Sequence, residues 1–161
     1  MKQVTGHEDQ LTLRPARAGD GEAVLEVTRR SVAGLARNHY SAEQIAGWMG
    51  ERTPTYYEDL IAHGLMVVAE NGGVIVGFVD SEPGELTRLF ILPDAAGNGL
   101  GKRLLQIGIE HARRGFDGSI KVEATLNAVD FYKHYGFKAI GKGYAAHTLG
   151  GPPIPIVHME L

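Results

Sequence analysis

Leu89-Phe90-Ile91-Leu92-Pro93-Asp94-Ala95-Ala96-Gly97-Asn98-Gly99-Leu100-Gly101-Lys102 decides how the rest of this 161-residue chain is read. Leu89 to Leu92 is apolar and strand-like, and Pro93-Asp94 is a turn. Leu100, Leu104, Ile107 and His111 then recur at helical spacing, with Lys102, Arg103, Gln106, Glu110 and Arg113 off that stripe. A glycine-rich loop therefore opens a helix. Such a loop aims several backbone N–H groups outward, and the helix dipole adds partial positive charge. The matching ligand is a phosphate or pyrophosphate.

Spacing narrows the kind of anion site. A Walker A loop requires Gly-x-x-x-x-Gly-Lys-Ser/Thr, but Ala96 holds its first position and Arg103 its hydroxyl position. A dinucleotide fingerprint requires Gly-x-Gly-x-x-Gly. Counted from Gly97 it ends on Lys102, and counted from Gly99 on Leu104, so both registers fail.

Working outward, Leu11 to Arg14 alternates and stops at Pro15, as a first strand does. Asp20 is placed to cap a helix from about Gly21 to Arg37. Ser41 with Gln44 forms a capping box, and Thr53-Pro54 is a second helix start closed by Gly64. Leu65 to Ala69 and Val74 to Val79 flank Asn71-Gly72-Gly73, a hairpin turn. Pro83-Gly84 leads into a third strand, Glu85 to Leu92, antiparallel to the one before. After the helix of about Gly99 to Arg114 come a strand at Ser119 to Ala124 and a helix opened by Asn127. Gly136 closes that helix, and two further strands follow. The order β-α-α-α-β-β-β-α-β-α-β-β predicts an α/β (α+β) fold. Its mixed, mostly antiparallel sheet has about seven strands, with helices on both faces. The unit from Glu85 to Ala124 is expected to be a right-handed parallel crossover.

Composition sets outer limits. Hydrophobic residues make up 43% and charged residues 22%, as in ordinary globular proteins. Residues 1–10 read as a polar, disordered tail and 11–161 as one domain. No apolar run approaches the roughly 18 residues of a membrane span. There is no cysteine, hence no thiol nucleophile or disulfide, which suits a cytoplasmic setting. A net charge of −3 argues against nucleic acid as a partner. The seven histidines form no ligand-spaced pair, so no metal is expected.

This element order, with two motifs, resembles the GNAT superfamily of acetyl-CoA-dependent N-acyltransferases from Leu11 onward. The first motif is Ala96-Gly97-Asn98-Gly99-Leu100-Gly101, similar to the family's Gln/Arg-x-x-Gly-x-Gly/Ala loop, with Ala96 departing at the first position. The second is the late helix Asn127-Ala128-Val129-Asp130-Phe131-Tyr132-Lys133-His134-Tyr135-Gly136-Phe137. The resemblance implies acetyl-CoA as acyl donor. Its pyrophosphate would meet the amides of Gly97, Asn98, Gly99, Leu100, Gly101 and Lys102, and its amide arm the backbone of Leu89, Phe90 and Ile91. It implies Tyr132 near the sulfur as proton donor to the thiolate, and Glu85 as the base that frees the amine, with Glu82 and Asp80 as nearby alternatives. Asn127 is expected to bind the cofactor or an ordered water.

The acceptor would be a primary amine of a small molecule or peptide that attacks the thioester directly in a ternary complex, and homodimers are common on this fold. A non-catalytic acyl-CoA sensor is the alternative. Asp80, Glu82 and Glu85 cluster at one hairpin and would favour a cationic amine. The acceptor side is expected from the helices between Tyr40 and Gly64, with Trp48, Tyr56 and Tyr57. The loop from His147 to Gly151 is expected to close over it.

Overall fold

The computed structural model describes residues 11–50, 52–145 and 152–161. The expected tail at 1–10 and the loop from His147 to Gly151 lie outside the described residues. The elements follow the predicted order. They are β1 (Leu11–Pro15), α1 (Gly21–Leu35), α2 (Ala42–Met49), α3 (Pro54–Ala62), β2 (Val67–Asn71), β3 (Val74–Glu82) and β4 (Glu85–Ile91). Then come α4 (Leu100–Arg113), β5 (Lys121–Thr125), α5 (Val129–His134), β6 (Lys138–Tyr144) and β7 (Pro155–Glu160).

Among the described residues the strands form one seven-stranded sheet in the order β1-β2-β3-β4-β5-β7-β6. The pairings are antiparallel except β4 with β5. Strand alternation sends residues to two faces. Val67, Ala69, Val79, Leu86, Val122, Ala124 and Met159 pack with Leu100, Leu104 and Leu105 of α4 and Tyr132 of α5. Met66, Val68, Ile75 and Phe78 pack instead with Val24 and Val27 of α1 and Tyr57 and Ile61 of α3. A third cluster joins Tyr40 and Trp48 to Ile154, just ahead of β7, and to Ile156 within it.

Two departures position the site. First, β4 and β5 pair only at Glu85↔Lys121 and Leu86↔Val122; beyond that the parallel strands part. Second, the β3–β4 register moves from Asp80↔Arg88 to Ser81↔Leu86, which leaves Thr87 as an extra residue on β4. This bulge resets the alternation. Leu86 packs against α4, Arg88 lies beside Asp80, and Leu89 and Ile91 return to the α4 side.

Several local expectations need correction. Asp20 stands at the start of α1 but makes no side-chain cap. Its carboxylate is taken by Arg14, at 2.8 and 3.0 Å, and by the Arg17 N–H. The charge-assisted bonds outcompete the cap, and Arg14 holds the Asp20 carboxyl below the usual carboxylate range. Asn127 does not open a helix by capping. It lies inside a 3₁₀ turn, Leu126–Ala128, and α5 begins two residues later. The second strand runs Val67–Asn71 rather than from Leu65, so Asn71 belongs to the strand and Gly72-Gly73 alone make the turn. The Ser41–Gln44 capping box and the Thr53 cap form as read.

Candidate active site

Where β4 and β5 part, a cleft of about 250 Å³ opens between the strands. Leu89, Phe90 and Ile91 form one wall and Thr125, Asn127 and Ala128 the other. Ser31, Val32 and Ala36 of α1 close one side, Phe131 and Tyr132 of α5 another, and Ala96 and Gly101 line the loop end. The parted strands leave main-chain groups of β4 without a strand partner, facing into the cleft.

The glycine loop has the geometry its sequence requires. Gly97 and Gly99 have φ of +88° and +78°, the left-handed region that favours glycine. A Cβ at either would meet nothing within 4 Å, so the loop faces open space. Gly99 precedes α4, which has no side-chain cap, and the first bond closing the helix runs from the Arg103 N–H to the Gly99 carbonyl. The N–H groups of Leu100, Gly101 and Lys102 thus stand ahead of the helical ladder. Leu100 is itself a core side chain and contributes to this loop only through its backbone. Gly101 has a different task. A Cβ there would lie 3.1 Å from the Phe131 ring, so it lets α5 close onto α4 beside the cleft. Asn98 and Lys102 are exposed at the loop.

Tyr132 stands at the junction of this cleft with a second, smaller cavity of about 70 Å³. Trp48, Phe90, Thr125 and Tyr132 line both. The Tyr132 ring packs edge-on against Phe131 and Phe137, and burial pushes its phenol up from the ordinary value.

The second cavity adds Arg52, Thr87, Arg88 and Glu123, none of which the sequence pattern singled out. Glu123 lies between Val122 and Ala124, both buried against α4, so alternation turns it to the opposite face. The alternation of Lys121, Glu123 and Thr125 with Val122 and Ala124 was the available signal, since it puts a carboxylate at the centre of the strand's polar face. Arg88 and Thr87 lie at the bulge, which strict alternation does not foresee.

The expected acidic rim does not form. Asp80 is buried, 3.6 Å from the Arg88 guanidinium, and burial raises its carboxyl above the ordinary value despite that cation. Glu85 lies at the joined end of β4 and β5, outside the lining of both cavities. Gly84, next to it, donates to Ala112 at the far end of α4 from the glycine loop. Of the expected acceptor-side aromatics, Trp48 lines both cavities, while Tyr56 and Tyr57 accept hydrogen bonds from Arg88 and Arg52. Among the described residues no group of three or more His, Cys, Asp or Glu side chains is placed to hold a metal. No helix among them is long and apolar enough to cross a membrane.

The family profile described as Acetyltransferase (GNAT) domain matches residues 36–160. The chain belongs to the GNAT acetyltransferase family. The peptidyl-lysine N-acetyltransferase YjaB of Salmonella typhimurium is 28% identical over 152 residues, covering 92% of this chain and 97% of that protein. A GCN5-related N-acetyltransferase from Rhodopseudomonas palustris has a TM-score of 0.85 at 23% identity, covering 92% of this chain and 93% of its own. The PaiA N-acetyltransferase of Thermoplasma acidophilum, solved with coenzyme A, has a TM-score of 0.73 at 22% identity, covering 93% and 97%. As a member of this family the chain is an acyltransferase.

Proposed function

We propose that this GNAT protein transfers an acetyl group from acetyl-CoA to a primary amine, by direct attack within a ternary complex. The observation that carries this is the placement of Tyr132 where two cavities meet. The larger cleft, with the loop at its end, suits a donor with a diphosphate, an amide-bearing arm and a thioester. The smaller cavity suits an amine. PaiA binds coenzyme A and shares the fold, which supports the donor.

In this reading the N–H groups from Gly97 to Lys102 hold the diphosphate. The pantetheine amides pair with the free edge of Leu89 to Ile91, as an added strand would. The amine nitrogen attacks the thioester carbonyl carbon, the C–S bond breaks, and the amine's proton leaves to a base. Tyr132 donates its hydroxyl proton to the departing thiolate. Glu123 lines the acceptor cavity and is the nearer carboxylate for proton removal. Glu85, on the same face but at the closed end of the split, is the second candidate and would act through an intervening water. Asn127 borders the donor cleft and is assigned to the cofactor. The chain has no cysteine that would carry the acyl group as a thioester, in keeping with direct transfer.

The test is thiol release from acetyl-CoA over a panel of primary amines, with Tyr132→Phe beside the wild type. Amine-dependent release that falls in the variant, at unchanged acetyl-CoA KM, supports the reading. Acetyl-CoA binding with no release for any amine identifies an acyl-CoA sensor instead.

A further inference from the structure

The acceptor cavity contains more hydrogen-bonding capacity than the protein itself uses. Arg88 is 9% exposed, yet its guanidinium has a single hydrogen bond among the described residues, from Nη2 to the Tyr56 hydroxyl at 3.1 Å. Asp80 faces Nη1 at 3.6 Å, beyond hydrogen-bond reach. A guanidinium offers five N–H donors, so most of those on Arg88 remain open to an incoming group. The adjacent Thr87, set out of register by the bulge, has a buried Oγ1 with no partner. Both residues line the same small cavity, and Arg52 lines it with them. Glu123 stands on β5, across the split from β4. One wall is therefore rich in donors and positive, and the other presents a carboxylate.

We infer that the acceptor is a compact amine bearing its own carboxylate, an amino acid in chemical class, whose carboxylate is received by Arg88 and the Thr87 hydroxyl. Arg52 adds positive charge to that wall. Glu123 draws the ammonium toward the junction at Tyr132. The cavity, at about 70 Å³, is of a size for a small amino acid. This rests on the reading of the smaller cavity as the acceptor site, and it replaces the cationic amine that the acidic hairpin suggested. Arg88 is in this scheme a specificity-determining residue and takes no part in proton transfer.

The experiment compares each amino acid with its own carboxamide: glycine with glycinamide, alanine with alaninamide. The amide has the more acidic ammonium, so chemistry alone favours it, and any preference for the acid reports recognition. In the wild type we expect kcat/KM for the amino acids to exceed that for the amides about tenfold or more, the loss of a charged hydrogen bond. In Arg88→Gln the preference should vanish through KM, with the acetyl-CoA KM unchanged, and Arg88→Lys should recover part of it. Equal use of acid and amide by the wild type overturns the inference without any variant, as does a preference for lysyl peptides over free amino acids. Calorimetry of the coenzyme A-loaded protein separates the two readings if no amine is acetylated. Carboxylate-dependent binding lost in Arg88→Gln then supports the inference while overturning the transfer reaction. Absence of binding by every amino acid overturns the inference.

Discussion

Replacing Gly99 by alanine separates the loop's conformation from its ligand. At φ +78° an alanine sits in the left-handed region. That costs about 1–2 kcal/mol, and the stiffer unfolded chain offsets ~0.4–1 kcal/mol. The new methyl meets nothing within 4 Å, so no packing loss is added. Net destabilisation is then at most about 1.6 kcal/mol, or up to roughly 6 °C in Tm for a chain of this size. Binding should suffer more. The methyl projects into the open space above the loop, and relief of the strain turns at least one N–H away from the diphosphate. A hydrogen bond to a charged group is worth ~1.5–3 kcal/mol, so coenzyme A affinity should fall about tenfold to a hundredfold. Calorimetric titration with coenzyme A, 3′-dephospho-coenzyme A and pantetheine reads this directly. The first two should lose affinity equally, because both keep the diphosphate, while pantetheine should bind wild type and variant alike. A Gly99→Ala protein that shows the expected Tm but binds coenzyme A as tightly as the wild type would refute the loop as the diphosphate site. Gly101→Ala is the contrast: its backbone is right-handed, and its methyl presses on Phe131 at 3.1 Å, so its effect runs through α5 packing.

Tyr132→Phe should lower kcat by about 10²- to 10⁴-fold, the usual worth of a placed acid, with little change in acetyl-CoA KM; steady-state thiol release measures it. Glu123→Gln should move the acidic limb of the kcat/KM profile more than Glu85→Gln does, and the reverse order would return the base to Glu85. Gly108→Ala should destabilise by about 1–3 kcal/mol, seen in urea unfolding, since its Cβ would meet Val79 at 2.7 Å as well as Leu86. The Asp20 carboxyl is held below its unfolded value, so its contribution to stability is present above about pH 4 and is lost as pH falls through the lower folded value. Asp20→Asn should flatten that part of a stability-versus-pH curve, and an unchanged slope there would show that Arg14 gives no net linkage.

The parts of the fold legible in sequence were those governed by local rules. Ser41 with Gln44, Thr53 with Pro54, and the glycines at 64, 97, 99 and 136 marked boundaries because caps and positive φ are properties of a few neighbouring residues. The strand–loop–helix unit around Gly97 to Gly101 was legible for the same reason. Arg14 lay beyond such reasoning: it draws Asp20 away from its cap through a contact across the fold, also engaging Glu70 at 2.7 Å. The acceptor wall was illegible for a different reason. One extra residue at Thr87 inverts the facing of everything after it, so Arg88 lies beside Asp80 and an apparently acidic hairpin contributes a cation to the cavity.

The last of the described strands, β7, lies between β5 and β6, so β6 emerges from the ribosome before the one described strand that pairs with it. Until Pro155–Glu160 has been made, β5 presents a bare flank carrying Val122 and Ala124, ready to pair with a stranger. β7 thus enters between two strands made before it, and closure of this half of the sheet waits on it. The nascent chain's exposure to aggregation is greatest in the interval between β6 and β7.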